Sequence, residues 1–186
     1  RVLGAHGYGV FAIGLSVASL VHMVAQFGVP ALFVRESAQD RKWEHMFPVL
    51  LGLMLLLGLG AALTLGGVGF ALGGNSMFRS VLSFFGVYVL AMTLLELFYS
   101  FFRAREDMRY EAVLKFLQAL VILMLGALVF VLAPTPGVLA LVYALGAFLA
   151  LFVMVLFFRR MAGSLLCLRL DIRMFKSILS RSWPVG

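Results

Sequence analysis

The chain has 186 residues, of which 63% are hydrophobic and only 12% charged, with a formal net charge of +7. A soluble domain carries about 25% charged and about 45–50% apolar residues, so one water-facing core is excluded and lipid is the expected solvent. The lone Cys167 excludes an intrachain disulfide and a multi-cysteine metal site.

Five apolar stretches are long enough to span as helices at 1.5 Å per residue. They lie at about 8–28, 47–72, 81–102, 112–132 and 137–158, giving an all-α, polytopic membrane helix bundle. The connections 73–80 and 133–136 fall on one side, and 29–46 and 103–111 on the other. Basic residues separate accordingly. Arg35, Arg41, Lys42, Arg103, Arg105, Arg109, Lys115, Arg159, Arg160, Arg169, Arg173, Lys176 and Arg181 are 13 of the 15, leaving Arg1 and Arg79 for the opposite face. The positive-inside rule puts the charged loops in the cytoplasm, the first residue outside and the last inside. The chain opens on Arg1 and closes on Trp183-Pro184-Val185-Gly186, where apolar sequence resumes, so it reads as a fragment with one helix missing before Arg1.

Span one carries a polar stripe: Tyr8, Ser19, His22 and Gln26 fall in a narrow sector, with Ser16 at its edge. Such a stripe either bonds to neighbouring helices or lines a wet substrate pathway. His22 reads better as a packing residue than as a metal ligand. Span two is Gly-rich, and Gly69 with Gly73 forms a GxxxG spacing for close helix approach. Span three contains Glu96, which has long apolar sequence on both sides; Thr93, Glu96, Ser100 and Arg103 share one helix face. Glu96 reads either as a carboxylate paired to a neighbouring helix or as a proton- or cation-responsive group. Lys115 and Gln118 open span four at similar depth, which makes Lys115 its expected partner. After Phe158 the chain turns basic, and 171–183 reads as an amphipathic helix lying on the cytoplasmic surface, with Asp171 as its N-cap and Ile172, Phe175, Ile178 and Leu179 on one side.

Three stretches together resemble the polysaccharide-type flippases (O-antigen and other lipid-linked oligosaccharide transporters) of the multidrug/oligosaccharidyl-lipid/polysaccharide exporter superfamily. Arg1-Val-Leu-Gly-Ala-His-Gly-Tyr-Gly-Val-Phe11 is similar to the family's R-x-LG-x-x-GYG-x-F approach to its second helix. Gly28-Val-Pro-Ala-Leu-Phe-Val-Arg-Glu-Ser-Ala38 resembles its RE-containing cytoplasmic loop, and Phe102-Arg-Ala-Arg-Glu-Asp-Met108 the loop after its fourth helix. The resemblance implies that the five spans are family helices two to six of an N-terminal lobe, with Trp183-Pro184 opening the seventh. It also implies alternating access between two six-helix lobes, moving a polyprenyl-diphosphate-linked glycan across the cytoplasmic membrane for surface polysaccharide (lipopolysaccharide, O-antigen) biosynthesis.

On this reading the substrate pathway draws on Tyr8, Ser19, His22, Gln26, Glu96, Lys115 and Gln118. The cytoplasmic entrance draws on Arg35, Glu36, Arg103 and Arg105, where arginines attract the diphosphate by charge-assisted hydrogen bonds. Single arginines there also serve topology and lipid headgroups. The expected partners are the lipid-linked oligosaccharide, membrane lipids, and the polysaccharide polymerase and chain-length machinery; no nucleic acid, cofactor or metal is expected. Three alternatives stay open: a cation-coupled multidrug exporter, a lipid II exporter of the same superfamily, and a non-transporting membrane protein. A membrane-embedded glycosyltransferase is disfavoured, because the eight acidic residues are mostly mixed with arginine in short loops and form no catalytic cluster.

Overall fold

A computed structural model describes residues 4–39, 45–71, 76–132 and 135–162, together with Phe175 and Ile178. The described residues are all-helical: α1 (Gly4–Gln26), α2 (Val29–Gln39), α3 (Phe47–Ala71), α4 (Ser76–Ala104), α5 (Met108–Leu132) and α6 (Pro136–Ala162). All but α2 are long and apolar enough to cross a membrane. The shortest of these five, α1, has 23 residues, or about 35 Å at 1.5 Å per residue, against a hydrocarbon core of about 30 Å. Several helices outrun the apolar stretches that announce them, because backbone hydrogen bonding does not stop where an apolar run does.

The stretch 29–46, expected to be a loop, instead contains α2, 11 residues long. Its start follows a helix break at which Phe27 and Gly28 both take positive φ, 45° and 69°. Glycine tolerates that conformation without a Cβ penalty. Pro30 sits in the first turn, where its missing N–H costs nothing. Val29, Leu32, Phe33 and Ser37 are buried on one face, a helical i, i+3, i+4, i+8 spacing.

Helix α4 is the centre of the bundle and touches every other helix. Against α3 it packs through missing side chains. A Cβ on Gly86 would lie 2.9 Å from the Ala62 carbonyl oxygen, and one on Gly58 2.9 Å from Leu90 Cδ1. Small residues let backbones approach where lipid is as apolar as the helices themselves. Gly69 likewise meets Leu82; its GxxxG partner Gly73 lies outside the described residues.

Two apolar cores stack along the bundle. One, at the end carrying Arg35, Arg103 and Arg159, is aromatic: Phe33, Phe47, Phe98, Phe101 and Phe158 are all buried. Phe47 and Phe158 stack at 5.0 Å between centroids, and Phe101 meets Phe158 edge-on at 4.8 Å. Rings from α2, α3, α4 and α6 thus lock this end. The other core holds Leu65, Val81, Leu82, Phe85 and Val89, with Phe11 and Tyr143 against it. Phe175 and Ile178 are helical and buried in the aromatic core, so those two side chains face protein where a surface-lying helix was expected to face lipid. The rest of 171–183 lies outside the described residues.

The turn from α4 to α5 closes with Glu106 N–H donating to the Arg103 carbonyl at 3.1 Å and Asp107 N–H to the Phe102 carbonyl at 3.0 Å. This is a Schellman-type cap, and the left-handed position it requires is filled by Glu106 at φ 62°. At the opposite end Thr135 caps α6, its Oγ1 accepting from Val138 N–H at 3.3 Å, with Pro136 at the first helical position.

Candidate functional site

The polar residues of α1 separate into two groups. His22 and Gln26 are half-buried and bonded within the bundle. Gln26 Nε2 donates to His22 Nε2 at 2.8 Å, and His22 Nδ1 is 3.3 Å from Thr93 Oγ1 on α4. Thr93 in turn donates to the Val89 carbonyl at 2.8 Å. With Nε2 accepting, the imidazole proton sits on Nδ1 and points at Thr93, so all the donors run one way along the relay. Ser16 and Ser19 are exposed and bond their own helix, to the Ala12 and Leu15 carbonyls. Tyr8 is exposed near the other end of α1. The stripe is therefore bonded into the bundle at His22 and Gln26 and exposed at Tyr8, Ser16 and Ser19.

Lys115 does not pair with Glu96. Glu96 instead accepts from Arg103 Nη2, two turns along the same helix. Arg103 Nε lies 3.4 Å from Glu111 Oε2 on α5, and Glu111 Oε1 is 2.6 Å from Lys115 Nζ. Lys115 also sits 4.9 Å over the Tyr99 ring. The physical reason is proximity on the helices themselves. Arg103 shares the Glu96 face of α4 and reaches back to it, while Glu111 is the i−4 neighbour of Lys115 and outcompetes a partner on another helix.

Helix α5 is anchored by polar contacts. Among its described residues only Gln118 is buried; it accepts from the Tyr99 hydroxyl at 3.3 Å and donates to Met92 Sδ at 3.1 Å. Two polar networks thus share α4 and together make a seam: Gln26 and His22 on α1 with Thr93 on α4, and Glu96, Tyr99 and Arg103 on α4 with Glu111, Lys115 and Gln118 on α5. It lies in the half of the bundle nearer the basic end, flanked by α1 and α5, the two spans with least buried surface.

Of the residues expected at an entrance, Arg35 is exposed and salt-bridged to Glu36 at 2.9 Å. Arg105 is exposed and stacks over Phe101 at 4.4 Å. Arg103 is shared between two carboxylates, so much of its charge is already met inside the seam. Sequence reasoning missed Tyr99 and Glu111 as seam members. The i, i+4 spacing of Glu111 and Lys115 was a readable sign of the second; nothing in the sequence separates Tyr99 from an ordinary packing aromatic. No group of three or more His, Cys, Asp and Glu that could hold a metal occurs among the described residues.

The seam sits in a frame of five helices long and apolar enough to cross a membrane. The profile of one family, described as polysaccharide biosynthesis protein, matches residues 1–186, the entire chain. The chain belongs to this family. Membership makes it a membrane protein of polysaccharide biosynthesis, and at the level of the family these are transporters rather than enzymes. Among curated proteins and among solved structures no significant match is found.

Proposed function

We propose that the protein is a flippase for polyprenyl-diphosphate-linked oligosaccharide, exposing its glycan-binding surface alternately to the two sides of the cytoplasmic membrane, and that these helices are one lobe of it. A glycan headgroup cannot cross hydrocarbon, because its hydroxyls and diphosphate would lose water without replacement. The polar seam is the observation that carries the reading: two sets of hydrogen-bonding side chains in an otherwise apolar bundle, one joining α1 to α4 and one joining α4 to α5. The exposed hydroxyls of Tyr8, Ser16 and Ser19 extend that surface along α1.

The basic end is assigned to the cytoplasm by the positive-inside rule. There Arg35 and Arg105, both exposed, are the side chains placed to meet a diphosphate, and Arg103 acts mainly to hold α4 and α5 together. The cation-coupled alternative rests on Glu96 and His22; Glu96 has its charge matched by Arg103 and His22 is bonded to Gln26 and Thr93, which counts against a free ion-binding group there. The lipid II and non-transporting alternatives are separated from it by cargo assays.

The test is the double variant His22→Leu/Gln26→Leu in the full-length protein. Leucine keeps much of the bulk, and a lost interhelical hydrogen bond in a membrane costs about 0.6 kcal/mol on average, so expression stays near normal. Glycan export falls. Normal export would leave these residues as packing only and remove the support of the seam.

A further inference from the structure

Along α5 and α6 runs a groove whose mouth and walls lie outside the seam, and which meets the seam only where its inner slot touches Gln118. Its mouth, at the α4–α5 turn, is lined by Asp107, Arg109 and Tyr110, and its walls by Val113, Leu114, Val153 and Phe157, enclosing about 450 Å³. It continues inward as an apolar slot, sharing Leu114 and Val153 and reaching Val121 on α5 and Gly146 on α6. There the helices close together: a Cβ on Gly146 would lie 2.5 Å from Ile122 Cγ1. The groove has a charged mouth, apolar walls and a closed floor.

Its dimensions match one membrane leaflet. From Asp107 to Val121 the rise is about 21 Å at 1.5 Å per residue, and half of a bilayer about 40–45 Å thick including headgroups is about the same. Its mouth carries both signs of charge. Asp107 and Arg109 are exposed, and neither has an ion-pair partner among the described residues. A purely anionic headgroup would meet the Asp107 carboxylate, whereas a headgroup with one phosphate and one ammonium satisfies both side chains.

We infer that this groove binds an aminophospholipid of the phosphatidylethanolamine class, with the phosphate on Arg109, the ammonium on Asp107 and one acyl chain in the slot between α5 and α6. The lipid completes the α5–α6 surface between the Tyr110–Phe157 ring contact at the mouth and the pinch at Gly146. The site depends on membrane residence and not on the identity of the transported cargo.

Native mass spectrometry of the full-length protein tests this, after equilibration with phosphatidylethanolamine or phosphatidylglycerol of identical acyl chains. Phosphatidylethanolamine is expected to be retained about tenfold better, as one charge-assisted contact allows. Val153→Trp, which fills the slot from a position already exposed, and Arg109→Ala should each abolish the retained adduct. Asp107→Asn should erase the preference while leaving binding. Equal retention of the two lipids by the unaltered protein would overturn the assignment. So would adducts indifferent to Val153→Trp, or no retained lipid because another segment of the protein covers the groove.

Discussion

Removing the Arg103 guanidinium is expected to loosen the α4–α5 seam more than any other single charge change. In Arg103→Ala the carboxylates of Glu96 and Glu111, whose side chains are 18% and 13% exposed, lose their shared cation. Breaking a fully buried pair costs about 3–5 kcal/mol. Arg103 is itself 34% exposed, so solvent offsets part of this, and about 2–3 kcal/mol is expected. For a chain of this size that corresponds to a drop in Tm of about 4–12 °C. Arg103→Lys should fall between, because a compact ammonium cannot bridge two carboxylates as the planar fork does. The informative assay is a double-mutant cycle on stability in detergent. Glu96→Gln combined with Arg103→Met should show a coupling of about 1–3 kcal/mol, and Glu96→Gln combined with Lys115→Met less than about 0.5 kcal/mol. Additivity in the first cycle, or a larger coupling in the second, would refute the pairing scheme.

Gly86→Ala should force α3 and α4 apart at a cost of about 1–3 kcal/mol, since the new Cβ meets backbone atoms of Ala62 that cannot move aside; Gly60→Ala, whose Cβ meets nothing within 4 Å, should be close to neutral. Phe47→Ala removes ring contacts to Phe33, Phe98, Phe101 and Phe158, and at about 0.5–1.5 kcal/mol per aromatic pair it should sharply reduce the yield of monodisperse protein. Cysteines at Ser76 and Thr135, both exposed at the ends opposite the basic loops, should react with an impermeant thiol reagent on intact cells, and one at Ala38 should not; Ala38 is the useful control because the neighbouring Ser37 is buried. The reverse labelling pattern would invert the topology.

The spans were legible because apolar runs of membrane length have one physical meaning, and the structure places α1, α3, α4, α5 and α6 on them. Helix α2 was not read, because Gly28 and Pro30 signal a break while the stripe Val29, Leu32, Phe33 and Ser37 is too short to dominate a window. In the seam, the shared face of Glu96 and Arg103 was visible from spacing. The ion pairs were mispredicted because depth was matched across helices before the nearer partners on each helix were considered. Likewise, angle alone could not tell His22, which meets Thr93, from Ser19, which bonds its own backbone. The aromatic core at Phe47 and the Gly86–Ala62 contact depend on which helices are neighbours, information that no periodicity in one helix contains.

The most direct test of the transport reading is translocation in proteoliposomes holding the full-length protein. A polyprenyl-diphosphate oligosaccharide is placed in one leaflet, and its glycan is scored for access to a membrane-impermeant glycosidase on the other side. The account predicts protein-dependent exposure of the glycan, slowed by His22→Leu/Gln26→Leu, with no comparable transport of a small cationic dye. Exposure no faster than in protein-free vesicles, or transport of the dye in place of the glycan lipid, would contradict it.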